Sequence, residues 1–263
     1  MGFLDHGMQK NTIFATRKRK MNMKRNSFIG LLLIAVAIGT GIFLLVRSRQ
    51  QPVTTTDDVQ NGDLVFVVRP RDGVKENDNE EGAAIDLTRY DLIHVALLER
   101  EGDSLYIVDA TIKHGVDRHP IDTFFTDFTR HDGTLLRFLV GRVEGFDGNL
   151  AIRRARAFVG RPYDIHFGIG TDSLYCTELV RNAFVTMQGD TLFTQGPIRF
   201  ADPDGTVSAY WQRLFGSVGL PVPDGKTGTT PRGQYEDPIV TPLGERLKDR
   251  GEEWLRRKMK NEK

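Results

Sequence analysis

The sequence has one cysteine, Cys176, among 263 residues, so no disulfide can form within the chain. It also lacks the spaced Cys and His pairs of structural zinc sites. The two nearest histidines, His114 and His119, have no Cys or carboxylate at standard zinc intervals. The segment Gly168-Ile169-Gly170 lacks the preceding strand that a phosphate-binding loop requires. We therefore expect neither a metal nor a cofactor.

A large excess of one charge is missing as well. The formal net charge is +1, and residues 1–27 hold seven Lys or Arg against Asp5, which leaves the remainder near −5. A body with this balance gives no reason to expect a nucleic-acid partner. Hydrophobic residues make up 39% of the chain and charged residues 27%, which is typical of a globular protein. No internal repeat or low-complexity tract is present, so we expect one folded domain.

Long hydrophobic runs are scarce, and the one that exists covers residues 28–46 without a charge. At about 1.5 Å per residue it nearly matches a hydrocarbon core of about 30 Å, which predicts a transmembrane helix. A cleaved signal peptide is the alternative, but no small-residue cleavage site precedes Arg47. Because the basic residues precede the run, the positive-inside rule predicts a cytoplasmic N-terminus and an extracytoplasmic body, in the periplasm or at the cell surface.

The expected organisation therefore has five parts. These are a basic cytoplasmic N-terminus at 1–27, a transmembrane anchor at 28–46, a polar linker at 47–62, a folded domain at 63–240 and a charged helical tail at 241–263.

Short apolar runs rich in β-forming residues predict four strands in the body, at 64–68, 91–98, 104–111 and 134–140. The turn signal Glu101-Gly102-Asp103 joins the second and third runs into an antiparallel hairpin. Helices are predicted at 148–158 and from Tyr175 to about Met187. In the second helix, spacings of three and four residues place a set of apolar side chains on one buried stripe, namely Leu179, Val180, Ala183, Phe184 and Met187.

The single thiol lies at the start of that second helix. Asp172 or Ser173 can cap the helix, which places Cys176 in or beside its first turn. A helix N-terminus and a neighbouring imidazole lower the pKa of a thiol and make it a nucleophile. A free Cys on an apolar helix face is otherwise a small core residue.

A histidine and an aspartate interrupt the two hairpin strands. His94 shares a face with Leu92, Ala96 and Leu98 by alternation, and a turn centred between Glu101 and Gly102 would place Asp109 directly opposite His94. A carboxylate in that position orients an imidazole that serves as a base. A satisfied core histidine is the alternative. The other histidines of the body, His114, His119, His131 and His166, lie in polar, loop-like segments and are weaker candidates.

The order of these motifs resembles a known family, the permuted papain-like amidases of the YiiX/YebB type, which are related to NlpC-type cell-wall peptidases. The resemblance extends over about residues 61–235. It is carried by residues 62–66 (GDLVF), 94–98 (HVALL), 107–110 (IVDA), 160–164 (GRPYD) and 175–180 (YCTELV), and by a C-terminal portion from Trp211 to Pro231.

The resemblance implies a circularly permuted, papain-like α+β domain with an antiparallel sheet, in which the His strand precedes the Cys helix. It implies Cys176 as nucleophile, His94 as general base and Asp109 as the third polar residue. Family members often have Ser after the Cys and Glu or His in the third position, from which Thr177 and Asp109 depart. Tyr175 and Tyr163 are candidates for oxyanion or substrate contacts, with ordinary packing as the alternative.

The expected function is that of a cysteine amidase or peptidase. It would cleave a cell-wall peptide or a lipid amide of the cell envelope through a thioester acyl-enzyme. Two alternatives remain: transfer of the acyl group to a lipid acceptor at the same site, and a binding module that keeps the cleft without turnover.

Overall fold

The computed structural model describes residues 58–74, 85–170, 172–201 and 204–261, which belong to one compact unit. The predicted cytoplasmic segment, the anchor at 28–46 and most of the linker lie outside the described residues. Within the described ranges no helix has both the length and the apolar character needed to cross a membrane.

The domain is built on a six-stranded sheet in the order β4-β3-β2-β1-β5-β8, and every neighbouring pair is antiparallel. Its strands are β1 (Leu64–Pro70), β2 (Tyr90–Glu101), β3 (Ser104–Thr111), β4 (Gly115–Pro120), β5 (Arg137–Val143) and β8 (Val240–Gly244). Two short strands, β6 (Gly196–Pro197) and β7 (Thr227–Gly228), pair separately. The four predicted strands are thus confirmed as β1, β2, β3 and β5, with β5 beginning three residues later than expected.

Six helices of the described chain pack around this sheet. They are α1 (Ile121–Asp127), α2 (Gly148–Arg156), α3 (Cys176–Ala183), α4 (Ala209–Ser217), α5 (Pro231–Tyr235) and α6 (Lys248–Asn261). The two predicted helices correspond to α2 and α3. The α+β class with an antiparallel sheet is confirmed.

The sheet separates two hydrophobic layers, and alternation along β1 shows why. Leu64, Phe66 and Val68 belong to the layer that contains side chains of α2 and α3, whereas Val65 and Val67 belong to the layer that contains α1 and α6. Successive side chains of a strand point to opposite faces. β1 is therefore a central strand that is apolar on both sides.

The predicted register of the β2–β3 hairpin is wrong by two residues. Glu101 pairs with Ser104, so the loop is Gly102-Asp103, and Gly102 takes the positive φ of 59° that such a tight turn requires. Continued along the strands, this register places Asp109 opposite Ala96 and diagonal to His94. The shift is an even number of residues, so His94 and Asp109 still share a face.

The strand that carries His94 is also irregular at that point. The pairing of β1 with β2 skips Ile93, since Val67 pairs with His94 and Val68 with Leu92. Leu92 consequently belongs to the opposite layer from Ala96 and Leu98, and the prediction that it shares their face is wrong. A bulge re-aims the side chains around it, and this one adjoins His94.

The helix that begins at Cys176 is shorter than predicted. It ends at Ala183, because Phe184 leaves helical geometry at φ −98° and ψ 70° and pairs with Leu192. Met187 then lies in the following turn and is 94% exposed, so its predicted place on the buried stripe is wrong. The N-cap is Tyr175, and the expected cap by Asp172 or Ser173 is wrong as well.

Two glycines fix the start of β1 against the start of α2. Gly62 has a φ of 84°, and a Cβ on it would lie 2.5 Å from the Cα of Gly148. A Cβ on Gly148 would lie 1.7 Å from the carbonyl oxygen of Asn61. Only two residues without side chains allow this approach.

Residues beyond 240 also contribute to the fold. β8 forms the edge of the sheet beside β5, and Trp254 of α6 is buried with its ring 5.7 Å from that of Phe125. The charged segment expected at 241–263 therefore packs against the domain through one face.

Candidate active site

Cys176 is the first residue of α3 and is buried, with 6% of its surface exposed. The first N–H groups of a helix have no acceptor within the helix, and they carry the positive end of its dipole. The thiol therefore lies where a negative charge on sulfur, or on an oxygen bound nearby, is stabilised.

The thiol of Cys176 and the imidazole of His94, a buried side chain of β2, line the same cleft, and the charge of Cys176 acts on the ring. The other side of the ring is held by Asp109, whose Oδ2 is 2.7 Å from Nε2 of His94. Nδ1 is thus the ring nitrogen left for the thiol. The ring also packs against Phe128 at a centroid distance of 5.0 Å. The structure therefore brings Cys176, His94 and Asp109 into one connected row.

A second histidine joins the same carboxylate. Nε2 of His119 is 3.1 Å from Oδ1 of Asp109, and Nδ1 of His119 is 3.3 Å from the carbonyl oxygen of Pro120. His119 was a weak candidate in the sequence because it lies in a polar, loop-like run. The signal that could have found it is the short connection at 112–114 followed by Gly115, whose φ of 69° helps to turn the chain back along β3 and to align His119 beside Asp109.

The neighbouring groups favour the charged forms of both His94 and Asp109. Burial alone would lower the pKa of His94, but the charge of Cys176 and the hydrogen bonds with Asp109 and Cys176 raise it to about 10. Burial alone would raise the pKa of Asp109, but the hydrogen bonds and charges of His119 and His94 lower it to about 2. The row therefore favours an imidazolium beside an ionised carboxylate at neutral pH.

Glu178, two residues after the cysteine, organises the start of α3. It is the third helical residue, and its Oε1 accepts a hydrogen bond from N–H of Gly170 at 3.0 Å. A carboxylate in the first turn lies at the positive end of the helix dipole and here ties the preceding loop to the helix. This role was not among the predictions from the sequence.

The residue after the cysteine anchors α3 to a neighbouring segment. The hydroxyl of Thr177 donates to the carbonyl oxygen of Thr229 at 2.8 Å, and the Gln234 amide donates to the carbonyl oxygen of Thr177 at 2.8 Å. A serine could make the first of these bonds, so Thr177 preserves the contact where it departs from the family pattern.

The two candidate tyrosines differ in their partners. The hydroxyl of Tyr175 accepts a hydrogen bond from N–H of Thr229 at 3.4 Å, and its ring lies 4.8 Å from that of Phe167. Tyr163 lines the cleft with Cys176, and burial, with the charge of Cys176 as the next cause, raises its pKa well above the usual value. Its phenol therefore keeps its proton over the working range of the protein.

Cys176 and His94 open into a cleft of about 1030 Å³. One wall is aromatic, since the rings of Phe200 and Trp211 lie 4.9 Å apart and Phe167 lies 5.5 Å from Phe200. Several positively charged side chains also line the cleft, namely Arg71, Lys113, Arg199 and Arg232. A long apolar group can lie along this wall while its polar end faces the rim.

The other histidines that the structure describes do not bind Asp109. His114 binds Asp127 at 3.1 Å on the surface, and neither His131 nor His166 is buried. Among the described residues no group of three His, Cys, Asp or Glu side chains is arranged to hold a metal ion.

Comparison with known proteins gives one family. A family model described as permuted papain-like amidase enzyme, YaeF/YiiX, C92 family, matches residues 58–243. Among solved structures the chain is similar to metalloprotein yiiX from Escherichia coli O157:H7, with 21% identity over 71% of this chain and 97% of that one and a TM-score of 0.48. No curated protein matches by sequence.

Proposed function

The chain belongs to the permuted papain-like amidase family, and from this premise we propose that it hydrolyses an amide of a cell-envelope lipid with Cys176 as nucleophile. The observation that carries the proposal is the row of Cys176, His94 and Asp109 at the start of α3. Such a row is the arrangement by which a thiol is activated and its base is oriented.

In the first half of the reaction, the Cys176 thiolate attacks the carbonyl carbon and the π electrons move onto oxygen. The backbone N–H of Cys176 at the helix start and the phenol of Tyr163 are the donors that we assign to this oxyanion. His94 gives its proton to the amide nitrogen, the C–N bond breaks, and the amine leaves a thioester on Cys176.

In the second half, water attacks the thioester while neutral His94 takes one of its protons. The tetrahedral intermediate then expels the Cys176 thiolate and releases the carboxylic acid, so that the imidazolium–thiolate pair is restored. Asp109 holds the ring throughout and stabilises its charged form.

The aromatic wall supports a substrate with an apolar acyl chain over a cell-wall peptide. Phe200 and Trp211 offer no acceptors for the many amide N–H groups of a peptide, whereas each buried methylene of an acyl chain contributes about 0.8 kcal/mol. A membrane anchor at residues 28–46 would keep the cleft close to such lipids.

The test is hydrolysis of N-acyl amides of increasing chain length by the full chain, with muropeptides assayed in parallel. We expect free carboxylic acid as the product and a kcat/KM that rises about threefold to fourfold per added methylene until the cleft is filled. Trp211→Ala should flatten this dependence, and Cys176→Ser should abolish turnover while keeping the melting temperature within a few degrees. Cleavage of muropeptides alone, or an active Cys176→Ser variant, would refute the proposal.

A further inference from the structure

The carboxylate of Asp109 has two oxygens, and each is held by a different histidine. Oδ2 accepts from His94 at 2.7 Å, whereas Oδ1 accepts from His119 at 3.1 Å. Asp109 is fully buried and His119 is 5% exposed, so water does not substitute for either bond.

The protonation of His119 follows from its partners. Nε2 faces an ionised carboxylate and Nδ1 faces the carbonyl oxygen of Pro120, and both of these groups can only accept. Both ring nitrogens must therefore donate, which a neutral imidazole cannot do. The geometry assigns His119 a positive charge.

The hydrogen bond from His119 to Oδ1 fixes the orientation of the Asp109 carboxylate. The terminal torsion of an aspartate is broad, so one hydrogen bond leaves the carboxylate free to turn. In addition, Asp109 reaches His94 diagonally across the hairpin and not from the directly opposite position. A donor on Oδ1 fixes the torsion and keeps Oδ2 directed at His94.

We infer that His119 is a positioning residue of this site, a second imidazolium that holds Asp109 so that Asp109 can hold His94. The inference rests on the proposed function, because it assigns His119 to the same catalytic row. His94, Asp109 and His119 then alternate in charge within the buried row.

Other titratable groups surround the row. His114, with its ring 6.2 Å from that of His119, binds Asp127, which also binds Lys113. Asp117 acts on His119 from β4. On the other side, Cys176 acts on three phenols, those of Tyr163, Tyr175 and Tyr210, and Glu178 acts on Tyr175. Of these, His114 is the matched control, since it neighbours His119 but binds Asp127 instead of Asp109.

The test is the pH dependence of Cys176 alkylation by iodoacetate in the full chain, whose single cysteine makes the reaction specific. The imidazolium of His94 attracts the carboxylate of this reagent, so the rate falls at high pH as His94 loses its proton. Both His119→Leu and His119→Gln remove the positive charge of His119, which by itself raises the pKa of His94, so the comparison of these two neutral variants isolates the hydrogen bond to Oδ1. His119→Gln keeps an N–H donor of similar reach, and we expect the basic limb of His119→Leu to lie about one pH unit below that of His119→Gln. His114→Gln should leave the wild-type limb unchanged.

A basic limb in His119→Leu that lies level with or above that of His119→Gln would overturn the inference, and so would a shift of about one pH unit in His114→Gln. Should His119→Leu fail to fold, His119→Asn replaces it, because its amide is too short to reach Oδ1. If the rate of Cys176 alkylation then fell at the same pH in His119→Asn and His119→Gln, the inference would be overturned.

A second measurement needs no reactive thiol. In ¹⁵N-histidine NMR spectra of the full chain at pH 7.5, with His119 assigned through His119→Gln, both of its ring nitrogens should be protonated, and a neutral tautomer would overturn the inference. If wild-type Cys176 alkylates no faster than a free thiol, the proposed function fails instead, and the NMR result alone decides on His119.

Discussion

At the scale of single residues, Asp109 is the side chain to which both histidines of the candidate site bind. It is fully buried, and it is the partner common to His94 and His119. Removing one partner of a buried, hydrogen-bonded charge leaves the other uncompensated. The effect of changing Asp109 should therefore appear in the protonation of His94.

We predict that Asp109→Ala lowers the pH at which His94 loses its proton. The folded-state pKa of His94 is raised from 6.5 to about 10, so the imidazolium stabilises the site fully below pH 6.5 and is lost as pH rises through about 10. Without the carboxylate this loss occurs at lower pH. The basic limb of kcat/KM against pH should shift down in Asp109→Ala.

Asp109→Asn is the conservative comparison, because an amide oxygen can still accept from His94. It should retain more turnover than Asp109→Ala. Identical pH profiles for wild type and Asp109→Ala would remove Asp109 from the site and leave it a structural role.

At the scale of elements, the start of α3 depends on Glu178. Burial, as the largest cause, raises its pKa from 4.5 to about 7, and its Oε2 is buried without a hydrogen-bond partner. An acid whose pKa is raised on folding stabilises the folded state below its unfolded pKa and loses that contribution as pH rises. The N-terminus of α3 should thus become less stable between about pH 4.5 and 7.

We predict that Glu178→Gln removes this decline, since glutamine keeps the acceptor for Gly170 and has no charge to bury. At pH 8 the variant should be more stable by about 1–2 kcal/mol, less than the full pKa difference, because the glutamine amide is itself a polar group that must be buried. Thermal melts from pH 4.5 to 8 measure the effect. Glu253→Gln, an exposed position of α6, is the control, and parallel pH curves for wild type and Glu178→Gln would contradict the prediction.

The contact between β1 and α2 gives a second prediction at this scale. A Cβ on Gly148 would meet the backbone of Asn61, which cannot move aside as a flexible side chain would. Gly148→Ala should therefore lower the free energy of unfolding by about 2–4 kcal/mol. Gly216 of α4 has open space around its Cα, so Gly216→Ala should leave stability unchanged or raise it by up to about 1 kcal/mol. Denaturant unfolding curves compare the two, and equal stabilities would refute the clash.

At the scale of the whole molecule, we propose that residues 28–46 anchor the chain with its catalytic domain outside the cytoplasm. The proposal rests on the uncharged run and the seven basic residues before it. Protease added to intact cells, or to spheroplasts where an outer membrane is present, should digest the domain and leave a cytoplasmic marker intact. Replacing the Lys and Arg residues of 17–25 by Gln should weaken this orientation, and a domain protected together with the marker would contradict it.

The sequence by itself determined the class of fold and singled out Cys176, His94 and Asp109, which the structure places around one candidate site. Strands repeat every two residues and helices about every 3.6, so apolar spacing alone locates β1 to β3, α2 and α3. The same period of two predicted His94 and Asp109 on one face of the sheet. This prediction holds although the predicted register was wrong, because the register differs by two residues and an even shift keeps each side chain on its face. The single cysteine at a helix start needed no tertiary information.

Only the tertiary structure decided how these residues are held. The register of the hairpin depended on which residue adopts the positive φ of the turn. Gly102 adopts it, and the spacing of apolar residues along the two strands does not predict that choice. The end of α3 before Met187 depended on packing of Phe184 against Phe193. The place of His119 required β4 to pair with β3, a contact that the short connection before Gly115 permits but that the polar, proline-ended composition of β4 does not favour. Local patterns fix periodicity within an element, whereas pairing between elements is fixed by the burial and hydrogen bonds that the folded chain satisfies together.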